Sequence, residues 1–250
     1  MKNPETLFMG QHIIHLSDID STNNFAANLI KQTKVVSGTV ILADNQTAGR
    51  GQSGNQWHAN PGENLTFSLI LHPRILAKNQ FIISKITCLA LLDLLEENKL
   101  ETKIKWPNDL LINQHKIAGI LIENTLRGQN IESSIIGIGL NVNQNYFHEN
   151  RATSLNLETG VIFDRVTLLH QFLKFMERWY LALERGDEIQ IDQIYTQNLF
   201  GRNELRNYIR DGSEFEGKIK GVNRIGQLEM ELVHGKTQYF DNQEIKFCFD

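Results

Sequence analysis

The sequence predicts an α+β fold in which long helices are set among short, hairpin-linked strands and a small all-β unit closes the chain. Three observations carry this. Apolar runs at 39–43 and from Leu65 to Leu71 have strand composition and flank a glycine-rich loop. Two long segments, about 80–98 and 164–185, have helical apolar spacing. From Glu214 onward the pattern changes to short alternating strands at 215–222, 228–233, 238–240 and 245–249. These are broken at Asn223-Arg224-Ile225-Gly226 and at His234-Gly235 and read as a small β-barrel.

Taken in order, Ser21 or Thr22 can cap a helix running to about 32, with Phe25, Ala26, Leu29 and Ile30 on its apolar face. The 39–43 strand follows. The next helix, about 80–98, buries Phe81, Ile82, Leu89, Leu92 and Leu95. A hairpin comes next: 103–106 leads through Pro107-Asn108-Asp109 to 110–112, a polar turn at 113–116 and an apolar strand at 117–122. Another apolar strand at 135–140 ends at Asn141. Asp164 caps the long helix that Gly186 stops, and a shorter helix is expected from Glu188 to about 199. We expect two units, residues 1–200 and residues 201–250, with a soft boundary near Gly201.

At 250 residues the chain can bury about 70 to 75% of its unfolded surface, enough for a core without staples. Its net charge is -4 and no block of Lys or Arg stands out, which argues against nucleic acid as the main partner. Cys88 and Cys248 are far apart with no CxxC partner, as suits a reducing compartment. The N-terminus lacks the layout of a secretory signal, and no apolar run reaches the ~18 residues of a membrane span. A soluble, cytoplasmic protein is the expectation.

Gly49-Arg50-Gly51-Gln52-Ser53-Gly54 fits GxGxxG but lies between two strands. A dinucleotide site needs a helix opening at the third glycine, and here Trp57 and the turn Asn60-Pro61-Gly62 follow instead. A P-loop needs Lys and Ser or Thr after its last glycine, where Asn55 and Gln56 stand. The kinase loop also joins strands, but no HRD or DFG sequence follows. What remains is a glycine-rich loop carrying one cation, Arg50, suited to a carboxylate or phosphate. Alone, it reads as a solvated hairpin loop.

The other motifs have similarly plain explanations when taken one at a time. Ser21-Thr22-Asn23 reads as a helix cap, Gln46 as a loop residue and Trp57 as packing at the loop base. Lys105-Trp106-Pro107-Asn108-Asp109 reads as a turn, and Lys116 as a turn lysine. Asn141 closes a strand whose Gly137 and Gly139 suggest close approach by another backbone or a ligand.

In this order, however, the motifs closely resemble those of the biotin protein ligases. The matching residues are Ser21-Thr22-Asn23, Gln46-Thr47-Ala48-Gly49-Arg50-Gly51 with Gly54 and Trp57, Lys105-Trp106-Pro107-Asn108-Asp109, Lys116-Ile117-Ala118-Gly119 and Gly137-Ile138-Gly139-Leu140-Asn141. The resemblance covers about 15–145 and a barrel-like tail. It implies a mixed β-sheet flanked by helices, related to class II aminoacyl-tRNA synthetases, with a small C-terminal SH3-like β-barrel. It also implies a two-step activity. Biotin and ATP, the latter with Mg2+, give biotinyl-5'-AMP, and the lysine of a biotin carboxyl carrier protein then takes the biotinyl group.

By this resemblance Arg50 and Lys116 are catalytic. Ser21, Thr22, Asn23, Gln46, Gly51, Gln52 and Gly119 line the biotin pocket with them. Gly49, Trp57, Lys105, Asn108, Asp109 and Asn141 hold the nucleotide, Asp109 also contacting Mg2+. Gln52 is a departure, since a well-studied branch carries a second loop arginine there, and Ser53 supplies no cation either. Many relatives carry an N-terminal DNA-binding winged helix, whereas here the pattern begins within the first twenty residues. A ligase without nucleic-acid or membrane partners is therefore expected, with a homodimer left open. A lipoate ligase shares the chemistry but not these motifs. A non-catalytic biotin binder would lack Arg50 or Lys116.

Overall fold

The computed structural model describes residues 4–148, 151–233 and 235–249. The expected break at His234, like residues 1–3, lies partly or wholly outside that range. A seven-stranded mixed sheet forms the body of the molecule. Its strands are β1 (Ile13–Ile19), β2 (Thr39–Gln46), β3 (Leu65–Leu71), β4 (Lys103–Lys105), β5 (Asp109–Ile112), β6 (His115–Arg127) and β7 (Asn130–Leu140), in the spatial order β1-β2-β3-β7-β6-β5-β4. Only the β1–β2 pair is parallel, and its crossover is helix α1 (Thr22–Gln32).

The two faces of this sheet are unequally covered. Helices α2 (Phe81–Glu97) and α4 (Arg165–Glu184) pack over one face. There Val40, Leu42, Phe67, Leu69, Ile136, Ile138, Ile120 and Ala118 form the main core. On the other face α1 covers only one end, through Ala26 against Ile41, Ile70 and Ile135. Past α1 the same face carries mostly small or polar residues that pair directly across the strands, with Ile41, at the edge of the α1 contact, and Leu121 as the apolar exceptions. One row runs Ala43, Thr66, Gly139, Gly119, Asp109, Lys105, and the next runs Ile41, Ser68, Gly137, Leu121. Side chains in such a row share a face, so this end of the sheet is a shallow floor under a concave space.

The C-terminal part is a second, five-stranded antiparallel sheet of order β11-β10-β9-β8-β12. Its strands are β8 (Leu205–Arg210), β9 (Ser213–Val222), β10 (Leu228–Leu232), β11 (Thr237–Phe240) and β12 (Lys246–Phe247). Among the described residues β11 and β12 do not pair, so the hydrogen-bonded ring is open. Helix α5 (Glu188–Gln197) lies between the two sheets and packs on α2 and β9.

Expected helices fall where the periodicity put them, and Asp164 accepts from Thr167 N at 2.7 Å as the cap of α4. The hairpin turn is tighter than expected. Asn113 and Gln114 take φ of 45° and 69°, a two-residue turn, and His115 and Lys116 already belong to β6. β1, β8 and the short α3 (Leu155–Thr159) were not expected.

Candidate active site

The concave space over the glycine floor is a cavity of about 50 Å³ lined by Ser21, Thr22, Asn23, Gln46, Arg50, Gly51, Gln52, Trp57, Asn108, Lys116 and Gly119. Ser21 stands at the N-cap position of α1, but its side chain makes no capping bond. Gln46 does that work from the end of β2. Its Oε1 accepts from Thr22 N at 2.8 Å and from Thr22 Oγ1 at 3.0 Å, so an otherwise orphaned helix N–H is satisfied by a residue expected to sit in a loop. Ser68 on β3 lies within 2.7 Å of Thr22 Oγ1 and 2.6 Å of Asn23 Oδ1. The polar first turn of α1 is thereby fixed against the sheet.

The space that side chains would take above the glycine floor is occupied by neighbouring side chains. A Cβ on Gly137 would lie 2.4 Å from Asn23 Oδ1, and one on Gly139 would lie 2.2 Å from Trp57 Cε2. The Trp57 ring thus lies directly on the strand. Its placement comes from the loop, which forms a small hairpin: Arg50 pairs with Gln56, Gly51 N donates to Asn55 O at 2.7 Å, and Trp57 N donates to Gly49 O at 3.0 Å. Gln52–Gly54 forms its tip, and Asn242, beyond β11, donates to Gln52 Oε1 at 3.0 Å.

Lys116 reaches this face because of a β-bulge. Ladder registry shifts between Leu110 and Leu111, so Ile117 and Ala118 both enter the main core and Lys116 is turned toward Gly119. Its Nζ lies 2.7 Å from Asp109 Oδ1 and 5.5 Å from the Trp57 ring centre. Asp109 Oδ2 also accepts from Lys105 Nζ at 3.3 Å, so one carboxylate spaces two ammonium groups. Arg50 forms the opposite wall. Its Nη2 donates to Glu123 Oε1 at 2.8 Å, and its Nη1 donates to Asn24 Oδ1 at 2.8 Å.

Two further spaces meet the first at Trp57 and Lys116. One, of about 300 Å³, is lined by Gly49, His58, Asn141, Tyr146 and Phe147. The other, of about 600 Å³, runs past Lys105, Asn108 and Asp109 to Lys246, Phe247 and Phe249 of the C-terminal part. Asn108 Nδ2 donates to Ile120 O at 2.7 Å. Asn141 Nδ2 donates to Thr153 O at 2.9 Å, while Asn141 Oδ1 and Trp57 Nε1 are buried without a partner among the described residues. The sequence-predicted residues are therefore all gathered around one connected space. Glu123, Ser68, Thr66 and Asn24 also contribute and were not expected.

The described residues include no group of three or more His, Cys, Asp or Glu placed to hold a metal ion, and Asp109 is already engaged by two lysines. The described residues present no metal cage of their own. What they present is a polar pocket under α1, continuous with two larger spaces and walled by two fixed cations, a layout suited to bringing two anionic groups together.

The model of the biotin/lipoate A/B protein ligase family matches residues 16–141. The chain is 34% identical over 238 residues to the bifunctional ligase/repressor BirA of Bacillus subtilis (strain 168), covering 92% of this chain and 73% of that protein. It is 37% identical over 131 residues to the biotin--[acetyl-CoA-carboxylase] ligase of Paracoccus denitrificans, covering 51% of this chain and 53% of that one. Among solved structures, the biotin protein ligase from Aquifex aeolicus in complex with biotin and ATP superposes with a TM-score of 0.79 at 26% identity, covering 95% of this chain and 100% of that chain. With its motif-bearing half matched by the family model and a relative alike over most of both chains, the chain belongs to the biotin/lipoate A/B protein ligase family, among its biotin protein ligases.

Proposed function

We propose that this chain joins biotin to ATP, giving biotinyl-5'-AMP and pyrophosphate, and then transfers the biotinyl group to a lysine of a biotin carboxyl carrier protein. The observation that carries the reading is that Arg50 and Lys116, from a loop and a separate hairpin, line one cavity with the polar first turn of α1. In the first step a biotin carboxylate oxygen attacks the α-phosphorus and pyrophosphate leaves. Both partners are anionic, so fixed cations beside the developing charge lower the barrier. In the second step the carrier amine attacks the anhydride carbonyl, AMP leaves and the amine gives up a proton.

The roles are those the resemblance to biotin protein ligases implies, and the gathering of these residues around connected spaces supports them. Ser21, Thr22, Asn23, Gln46, Gly51, Gln52 and Gly119 would hold biotin, the polar groups of the α1 turn meeting its ureido ring. Gly49, Trp57, Lys105, Asn108, Asp109 and Asn141 would hold the nucleotide, whose adenine would lie near Trp57. In this reading Mg2+ would come with the ATP phosphates and offset their charge, and Asp109, now paired with Lys105 and Lys116, would be the carboxylate to contact it. Residues 1–200 would form the catalytic unit and 201–250 the accessory C-terminal one. A cytoplasmic setting belongs to the same proposal, in keeping with the free thiols of Cys88 and Cys248.

The test is mass spectrometry of a biotin carboxyl carrier protein incubated with the chain, ATP and biotin or lipoate. A gain of one biotinyl group that needs ATP supports the reading. Transfer of lipoate alone would replace it, and no transfer with either acid would refute it.

A further inference from the structure

Glu123 belongs to none of the motifs that mark the site in the sequence, yet it stands between the two groups of residues that build it. Strand alternation along β6 puts it on the face of Gly119 and Leu121, which line the cavity. Its Oε1 accepts from Arg50 Nη2 at 2.8 Å and its Oε2 from Arg50 Nη1 at 3.3 Å. The same Oε2 accepts from Asn23 Nδ2 at 2.7 Å. One carboxylate thus ties the loop cation to the first turn of α1.

The pair does little for stability. Its side chains are 44% and 36% exposed, and an ion pair that open to water is heavily screened. Its effect is geometric, because a two-pronged contact fixes the plane of a guanidinium as one bond does not. The donor count matters too. Of the five N–H groups of Arg50, three are accounted for by Glu123 and Asn24. The Nε–H and one Nη2–H lie outside those bonds and remain for a carboxylate or phosphate oxygen.

We propose that Glu123 is a positioning residue of the adenylation step: it holds Arg50 at the rim of the cavity with two donors free and sets its place relative to Asn23. This rests on the ligase reading above and deepens it. Biotin-dependent pyrophosphate release by the full chain tests it, in the wild type, Glu123→Ala, Glu123→Gln, Arg50→Ala and the Arg50→Ala/Glu123→Ala double variant. Thermal melting is followed in parallel.

We expect Glu123→Ala to lower kcat/KM for biotin on the order of tenfold, the scale of one lost charged hydrogen bond. The double variant should be no worse than Arg50→Ala, because a holder has nothing left to hold. Glu123→Gln keeps an acceptor for Asn23 but breaks the fork, so it should match Glu123→Ala, and it carries the comparison if the alanine variant fails to fold. Single defects that multiply in the double variant, or wild-type kinetics in both Glu123 variants, overturn the proposal. A wild type that releases no pyrophosphate with biotin would instead sink the ligase reading and this inference with it.

Discussion

Trp57 and Gly139 make the sharpest residue-scale case, because the indole lies where a side chain at position 139 would have to be. Gly139→Ala must push the ring off the strand. Overpacking of this kind costs about 1–3 kcal/mol, so we expect a lower melting temperature together with a changed tryptophan emission; unchanged emission would mean that the ring does not rest there. Gln52 poses the opposite question, of a missing charge. It accepts one bond from Asn242, which an arginine could not do, but an arginine would add a second loop cation beside Arg50. Gln52→Arg is expected to slow release of biotinyl-5'-AMP on the order of tenfold, the scale of one charge-assisted hydrogen bond. An equal rate of adenylate leakage from both proteins would dispose of that idea.

Helix α4 starts at a cluster of acids whose state depends on pH. The Thr167 hydroxyl and amide hold the Asp164 carboxyl below the usual aspartate value. Asp44 is raised by burial, but its bonds to Arg165 and His15, both at 2.9 Å, prevail and leave it lowered. Because each folded-state pKa lies below its unfolded value, about 3.9, the stabilisation is complete above that pH and is lost as pH falls through the folded values. Amide protection in the first turn of α4, once the intrinsic exchange rate is divided out, should therefore fall as pH drops below about 4. Asp164→Asn keeps a capping oxygen but no titrating group, and should be less sensitive to acid there; equal sensitivity would clear Asp164 of the role. Asp164 was legible in the sequence as a cap because capping is local. The longer helices were legible for the same reason, as was the close approach at Gly137 and Gly139. The edge strand β1, Ile-Ile-His-Leu-Ser-Asp-Ile, was not, since its polar positions do not alternate. β8 is half charged or polar, and α3 is too short for a period to show. Lys116 was found through its motif, but its direction depends on a bulge that no spacing announces. Glu123 was missed because a lone acid in an apolar strand looks like an exposed edge position until register puts it beside Arg50.

In the whole molecule the two sheets are fastened together behind the site. Lys85 on α2 is almost wholly buried, and its Nζ donates to Asp192 of α5 at 2.8 Å and to Val222 O of β9 at 3.3 Å, with the rings of Phe81 and Tyr195 close by. Trp106, beside Asn108, donates from Nε1 to Gly226 O at 2.9 Å. Asp192→Ala would leave a buried ammonium without its counter-charge. Full burial would make that loss about 3–5 kcal/mol; Asp192 is 40% exposed, so we expect roughly half as much, read as a lower midpoint in urea with one transition kept. Two separate transitions would show that the sheets unfold independently. In the proposed reaction Arg50 and Lys116 act on one reacting pair. The most direct test of that joint action is single-turnover formation of biotinyl-5'-AMP by the wild type, Arg50→Ala and Lys116→Ala, each with its melting curve. We predict rapid adenylate formation in the wild type and a loss of at least a hundredfold in both variants, the order seen when one preorganised charge-stabilising donor is removed, with folding intact. Near-normal adenylate formation in either variant would contradict it.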